Sequence, residues 1–167
     1  MMNLFSKLKQ KKEDQLPIDD LTAMISGHLI NIEDVNDEVF SQKMMGDGFA
    51  IVPDNNVIVA PAPGIISSVY PTGHAINIKF DNGVDAIIHI GIDTVELNGT
   101  GFKKKVSAGQ KVRRGDELVE LDKKSIPSRV DLTTMLIFPE LKNQQLKKVT
   151  PKKVTEGSSI IGKIESE

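Results

Sequence analysis

The chain has 167 residues, no cysteine and a formal net charge of −2 from 21 Lys and Arg against 23 Asp and Glu. That length suits one domain with tails, and the lack of cysteine excludes a disulfide framework, a thiolate metal site and a cysteine nucleophile. There is no basic excess to neutralise nucleic-acid phosphates and no run of roughly 20 apolar residues to span a bilayer, so protein or small-molecule partners in a reducing cytoplasm are expected.

Residues 1–20 read as a flexible polar N-terminal tail. Leu4, Phe5 and Leu8 stand at helical spacing beside Lys7, Lys9, Lys11 and Lys12. That pattern would suit contact with a membrane surface, but short helices melt readily in water and a disordered tail is favoured. Residues 21–167 read as a single domain. Short Ile- and Val-rich runs are broken roughly every eight to twelve positions by turn residues. These include Pro53-Asp54-Asn55-Asn56, Pro71-Thr72-Gly73, Asp81-Asn82-Gly83 and Arg114-Gly115-Asp116. The rhythm predicts an all-β fold, an antiparallel β-sandwich or barrel with one or two short helices.

One helix is predicted from Asp37 to Met45, with Asn36 as its cap and Gly46-Asp47-Gly48 as its end. Val59–Ile66 and Val106–Val112 echo each other and suggest a duplicated motif built of two similar halves. From about Lys142 a lysine-rich loop is predicted, then a last strand at Ser159–Ile164.

The sharpest local signal lies between His74 and Asp93. Two β-rich runs flank Asn82-Gly83, the pair that best suits a two-residue type I′ hairpin turn. With that turn, paired residue numbers sum to 165, so His89 faces Ile76 and His74 faces Gly91. The two histidines then become diagonal neighbours on one face, beside Ile76, Ile78, Phe80 and Ile87, with β-carbons about 7–8 Å apart. A three-residue loop would change the sum to 164 and, without a bulge, send them to opposite faces. A lone histidine is more often a satisfied core or surface group; two of only three histidines on one face make a functional site an equal alternative. Such a pair could share a phosphoryl group or a metal ion.

Histidine suits a phosphoryl relay. Its neutral ring nitrogen is nucleophilic near pH 7, and the N–P bond it forms is labile. A second histidine can donate a hydrogen bond as charge develops on the phosphoryl oxygens. A hydroxyl such as that of Thr72 could fix a ring tautomer.

The run His89-Ile90-Gly91-Ile92-Asp93-Thr94-Val95-Glu96-Leu97-Asn98-Gly99, followed by Gly101-Phe102, closely resembles the active-site signature of the glucose-type IIA component of the bacterial phosphoenolpyruvate–sugar phosphotransferase system. The resemblance continues through Asn31–Val35, Phe40–Gly48, Thr72–Ala75, Gly109–Val112 and Gly115-Asp116, and covers about Leu21 to the C-terminus. It implies a cytoplasmic phosphotransferase component that needs no cofactor or metal. Such a protein accepts phosphate from phosphorylated HPr and passes it to a cysteine of a sugar-specific IIB domain. On matching positions it implies that His89 is phosphorylated, with His74 as stabilising partner and Thr72 as supporting hydroxyl. Asp37 and Asp93 would meet partner arginines, while Val39, Phe40, Tyr70, Ile76 and Ile87 would form an apolar docking ring. Lacking cysteine and a spanning segment, the chain is expected to be a free-standing IIA protein.

Departures stand beside these matches. Ala23–Gly27 lacks the proline of the family's first turn, His28 is an unmatched surface histidine, and isoleucine replaces phenylalanine at Ile76, Ile87 and Ile90. Regulatory protein targets known for some relatives transfer least safely. Two other functions remain as alternatives: a regulatory binding module without phosphotransfer, and a lysostaphin-type zinc peptidase. The peptidase needs a His-x-His pair, and Gly91 occupies the second place.

Overall fold

Strands dominate the computed structural model, which describes residues 15–166. In chain order they are β1 (Asp20–Thr22), β2 (Gly27–Ile30), β3 (Asp47–Pro53), β4 (Val57–Val59), β5 (Gly64–Val69), β6 (Ala75–Phe80) and β7 (Asp85–Ile90). There follow β8 (Phe102–Lys104), β9 (Lys111–Val112), β10 (Glu117–Leu121), β11 (Thr134–Phe138), β12 (Gln144–Lys148), β13 (Lys153–Val154) and β14 (Ile160–Ser166). Among the described residues, helix is confined to α1 (Glu38–Ser41) and two 3-10 turns, Ile32–Asp34 and Thr94–Leu97. The N-terminal positions Leu4, Phe5 and Leu8 lie outside the described residues.

The strands form an open eight-stranded sheet, ordered β13-β2-β3-β11-β7-β6-β5-β9, and two three-stranded sheets, β1-β14-β12 and β4-β10-β8. Among the described residues all pairings are antiparallel and no sheet closes into a barrel, so of the two predicted forms the sandwich is the one adopted. The two segments that echo each other in sequence meet in space. Gly64 pairs with Val112 and Ile65 with Lys111, and the Gly115 N–H donates to the Ala60 carbonyl at 2.9 Å.

Both faces of the large sheet are covered at its centre, which explains the near-continuous apolar runs of its middle strands. On one face Ile76, Ile78, Phe80, Ala86, Ile88 and Ile90 join residues of the smaller sheets in the main core. On the other, Ile32, Val35 and Phe40 close over Ala50, Met135 and Ile137. This second, smaller cluster seats α1 beside the functional site.

Three boundaries differ from the sequence prediction. Asp37, not Asn36, caps α1, its carboxylate accepting from the Val39 N–H at 2.9 Å, and the helix stops at Ser41. Lys43 then turns left-handed at φ 57°, fixed by ion pairs to Glu33 at 2.9 Å and Asp47 at 3.6 Å. The lysine-rich segment is not a loop but β12. It pairs with β14 because Leu146 packs on the core while Lys148 crosses the Phe49 ring and reaches Asp47 at 2.7 Å. The final strand starts one residue later than predicted and runs on to Ser166.

Candidate functional site

The hairpin does not use the predicted two-residue turn. Ala75 pairs with His89 and Ile76 with Ile88, so the residue numbers sum to 164. The Phe80 N–H donates to the Val84 carbonyl at 2.9 Å, and the Gly83 N–H returns to the Phe80 carbonyl at 2.8 Å. Gly83 has φ 88°, whereas Asn82 is absent from the positive-φ residues that a type I′ turn would need at both central positions. The loop is therefore the three residues Asp81-Asn82-Gly83, and His89 faces away from Ile76.

His74 nevertheless meets His89: its carbonyl still accepts from the Ile90 N–H at 2.7 Å, but the residue lies in a bend ahead of β6. Gly73, at φ 75°, bends the chain immediately before β6. Directly paired residues place Tyr70, Ala75, His89 and Met135 in one row across the sheet. Ala75 is the small member of that row. The His74 ring lies 5.4 Å from the Tyr70 ring and 5.3 Å from the His89 ring, edge-on to each, and so closes the space between them. A bend supplies what the register withholds.

His89 sits near the end of β7, where the chain turns through Gly91 at φ 82°. A β-carbon at Gly91 would stand 2.4 Å from Thr94 Cγ2 and 2.9 Å from the Asp131 carbonyl, so the turn requires glycine. It is held by the Gly91 N–H on Thr133 O at 3.0 Å and by the Thr94 hydroxyl on Ile90 O. The turn brings the Gly91 carbonyl back to His89, where Nδ1 donates to it at 2.9 Å. A carbonyl can only accept, so Nδ1 carries the proton and Nε2 keeps its lone pair. His74 Nδ1 is hydrogen-bonded to the Thr72 hydroxyl. With that hydroxyl donating, His74 presents Nε2–H as a donor.

Both rings are held neutral more strongly than a free imidazole. Desolvation lowers the pKa of His74. Desolvation and then the neighbouring His74 lower that of His89, against opposing pulls from the Gly91 hydrogen bond, Asp37 and Asp93. An uncharged, singly tautomeric imidazole next to a donor has the chemistry to attack an anionic electrophile. Among the described residues no three His, Cys, Asp or Glu side chains converge to hold a metal ion.

The expected docking residues separate into three groups. Val39 and Tyr70 are 40% and 48% exposed, Ile87 is half-buried, and Asp37 and Asp93 border them with carboxylates. Phe40 is buried and packs on the His89 ring at 4.9 Å, so it supports the histidine from below. Ile76 is fully buried in the main core and cannot meet a partner. The shift of one residue in register is the reason, because it turns Ile76 to the face opposite His89. Two exposed apolar residues were missed. Met44 follows α1, and Val95 stands between Asp93 and Glu96 in a surface turn, an apolar side chain among acids that could have signalled a contact. His28 is exposed on β2, away from this row.

A family model for the phosphoenolpyruvate-dependent sugar phosphotransferase system, EIIA 1, matches residues 19–144. A PTS system glucose-specific EIIA component of Haemophilus influenzae is 47% identical over 121 residues, covering 72% of this chain and 73% of its own. One from Buchnera aphidicola is 39% identical over 161 residues, 96% of this chain and 97% of its own. Among solved structures, the glucose permease IIA from Mycoplasma capricolum superposes with a TM-score of 0.80 at 37% identity, over 86% of this chain and 93% of that one.

Proposed function

The chain belongs to the EIIA 1 family of the phosphoenolpyruvate-dependent sugar phosphotransferase system, and on that premise we propose that His89 is its phosphorylated residue, charged by HPr and discharged to a IIB domain. The observation that carries the proposal is the pairing of a tautomerically fixed His89 with a donor-presenting His74 at 5.3 Å. In the first half-reaction the His89 Nε2 lone pair attacks the phosphorus on HPr. A new N–P bond forms as the bond to the HPr atom breaks, and that atom leaves with its electron pair. His74 Nε2–H donates to the phosphoryl oxygens as their charge redistributes, while Thr72 holds the His74 ring in the tautomer this needs. In the second half-reaction a IIB cysteine thiolate attacks the same phosphorus and His89 Nε2 is the leaving group. Desolvation favours both halves, since it keeps the free ring uncharged and strengthens the His74 hydrogen bond.

Val39, Tyr70 and Ile87 form the apolar part of the docking face, with Asp37 and Asp93 as the acids that meet partner arginines. Such a mixed face suits transient contact with two proteins in turn. Glucose is the sugar we propose for the transporter served, because the relatives from Haemophilus influenzae and Buchnera aphidicola are glucose-specific components, and the cytoplasm is the proposed compartment.

The test is incubation with phosphoenolpyruvate, Enzyme I and HPr. The wild type gains an acid-labile phosphoryl group and His89→Ala gains none; label on the alanine variant, or none on the wild type, would overturn the assignment. His74→Gln accepts phosphate but passes it on about a hundredfold more slowly, as expected for loss of a donor to a charged transition state. Sugar phosphorylation at the wild-type rate by that variant removes the role given to His74.

A further inference from the structure

Asn77 lies in the middle of β6, where neither propensity nor hydrogen bonding accounts for it. Asparagine is a poor strand former, and a branched apolar residue would suit the pleated surface better. Its neighbours across the sheet are Ser68 on β5 and Ile87 on β7, in the row next to that of His89. Asn77 is thus a diagonal neighbour of His89 on the same face, with β-carbons about 7–8 Å apart or less. Its Oδ1 is shut off from solvent and has no hydrogen-bond partner among the described residues.

Buried acceptors are nearly always paired, so an orphan beside a functional group asks for a donor from outside the chain. Besides His74, the charged groups felt by His89 are the carboxylates of Asp37 and Asp93, which are acceptors as well. Three acceptors around one nucleophile define a partner surface rich in donors. The Asn77 side chain is only partly buried, and its terminal torsion is soft, so rotation can bring the oxygen to the surface when a donor arrives.

We propose that Asn77 is a docking residue for phosphoryl transfer, its side-chain oxygen accepting a hydrogen bond from an N–H donor on the incoming phosphorylated protein. This rests on the assignment of His89 made above. Docking gives this acceptor a donor that the described residues do not supply. The interaction forms with the partner as a whole and so acts on KM, not on the chemical step.

Two variants of the full chain test the proposal, each followed by thermal melting and by steady-state uptake of phosphate from phosphorylated HPr. Asn77→Leu removes the orphan and its acceptor together. It melts at or above the wild-type temperature, while KM for phosphorylated HPr rises about tenfold and kcat stays within about twofold. Asn77→Asp keeps an acceptor but leaves a carboxylate without a donor in the free protein. It melts lower than the wild type, yet its KM stays within about threefold. Opposite signs in melting and docking are the signature, since a merely structural asparagine would lower both together. Asn77→Leu with unchanged KM in a wild type that takes up label overturns this proposal alone. A wild type that takes up no label overturns the His89 assignment and this one with it.

Discussion

Two polar inclusions in this sandwich are built on opposite principles. Arg114 is 5% exposed, and its guanidinium donates to three backbone carbonyls, Asp20 at 2.7 Å, Pro61 at 2.8 Å and Pro17 at 3.1 Å. Burial lowers its pKa, partly offset by Asp20. It joins the chain entering β1 to the turn before β5, with its donors turned inward. The His74–His89 site spends its hydrogen bonds differently. One nitrogen of each ring is tied to Gly91 or Thr72, the other is left open, and Asn77 nearby has an acceptor with no donor. Between these two regions, the arginine that ties chain segments together has its donors met within the fold, and the histidine site keeps polar atoms unpaired.

Arg114→Met would sharpen this contrast most. It removes three donors from buried carbonyls and is expected to lower unfolding stability by about 3 kcal/mol in denaturant titrations. Phosphate uptake per folded molecule should stay at the wild-type level. If uptake falls with the site intact, the two regions are coupled and the contrast breaks.

Gly91→Ala works from the other side. A β-carbon 2.4 Å from Thr94 Cγ2, at a positive φ, must shift the turn that returns the carbonyl to His89. Stability should drop by about 1–2 kcal/mol, and phosphate uptake about tenfold, as the tautomer is no longer held. Uptake at the wild-type rate would show that the Gly91 carbonyl does not orient the ring.

The smallest expected effect is in pH. The folded pKa values of His74 and His89 lie below the ordinary 6.5. Neutral rings therefore add stability that is fully present above pH 6.5 and is lost as pH falls through the lowered folded values. Melting temperature should fall on acidification below pH 6.5, and the fall should be shallower in His74→Gln. Uptake should hold steady down to about pH 6.5 and decline below it as Nε2 is protonated. An acid limb centred above 6.5 would mean that Asp37 and Asp93 outweigh desolvation.

Much of the molecule is legible from residue types alone. Spaced turn residues and Ile- and Val-rich runs predict the antiparallel sandwich, since each run has the length of a strand and each break has the chemistry of a turn. The long run from His89 to Gly99 identifies the family from its pattern, and His74, Thr72 and His89 do meet. Less legible were elements set by distant partners. Lys148 belongs to a strand because Phe49 and Asp47, about a hundred residues earlier in the chain, receive it.

What only the tertiary structure decided was which side of the sheet each residue faces. Side chains alternate every residue along a strand, so one additional loop residue at Asp81-Asn82-Gly83 exchanges the two faces of the hairpin. That exchange buries Ile76, leaves Asn77 beside His89, and would have separated the histidines had Gly73 not bent the chain ahead of β6. The sequence by itself determined that two histidines and a hydroxyl stand near one hairpin. Their convergence came from a backbone bend and from packing against Tyr70 and Phe40, because local pattern encodes periodicity while only the assembled sheet selects the register.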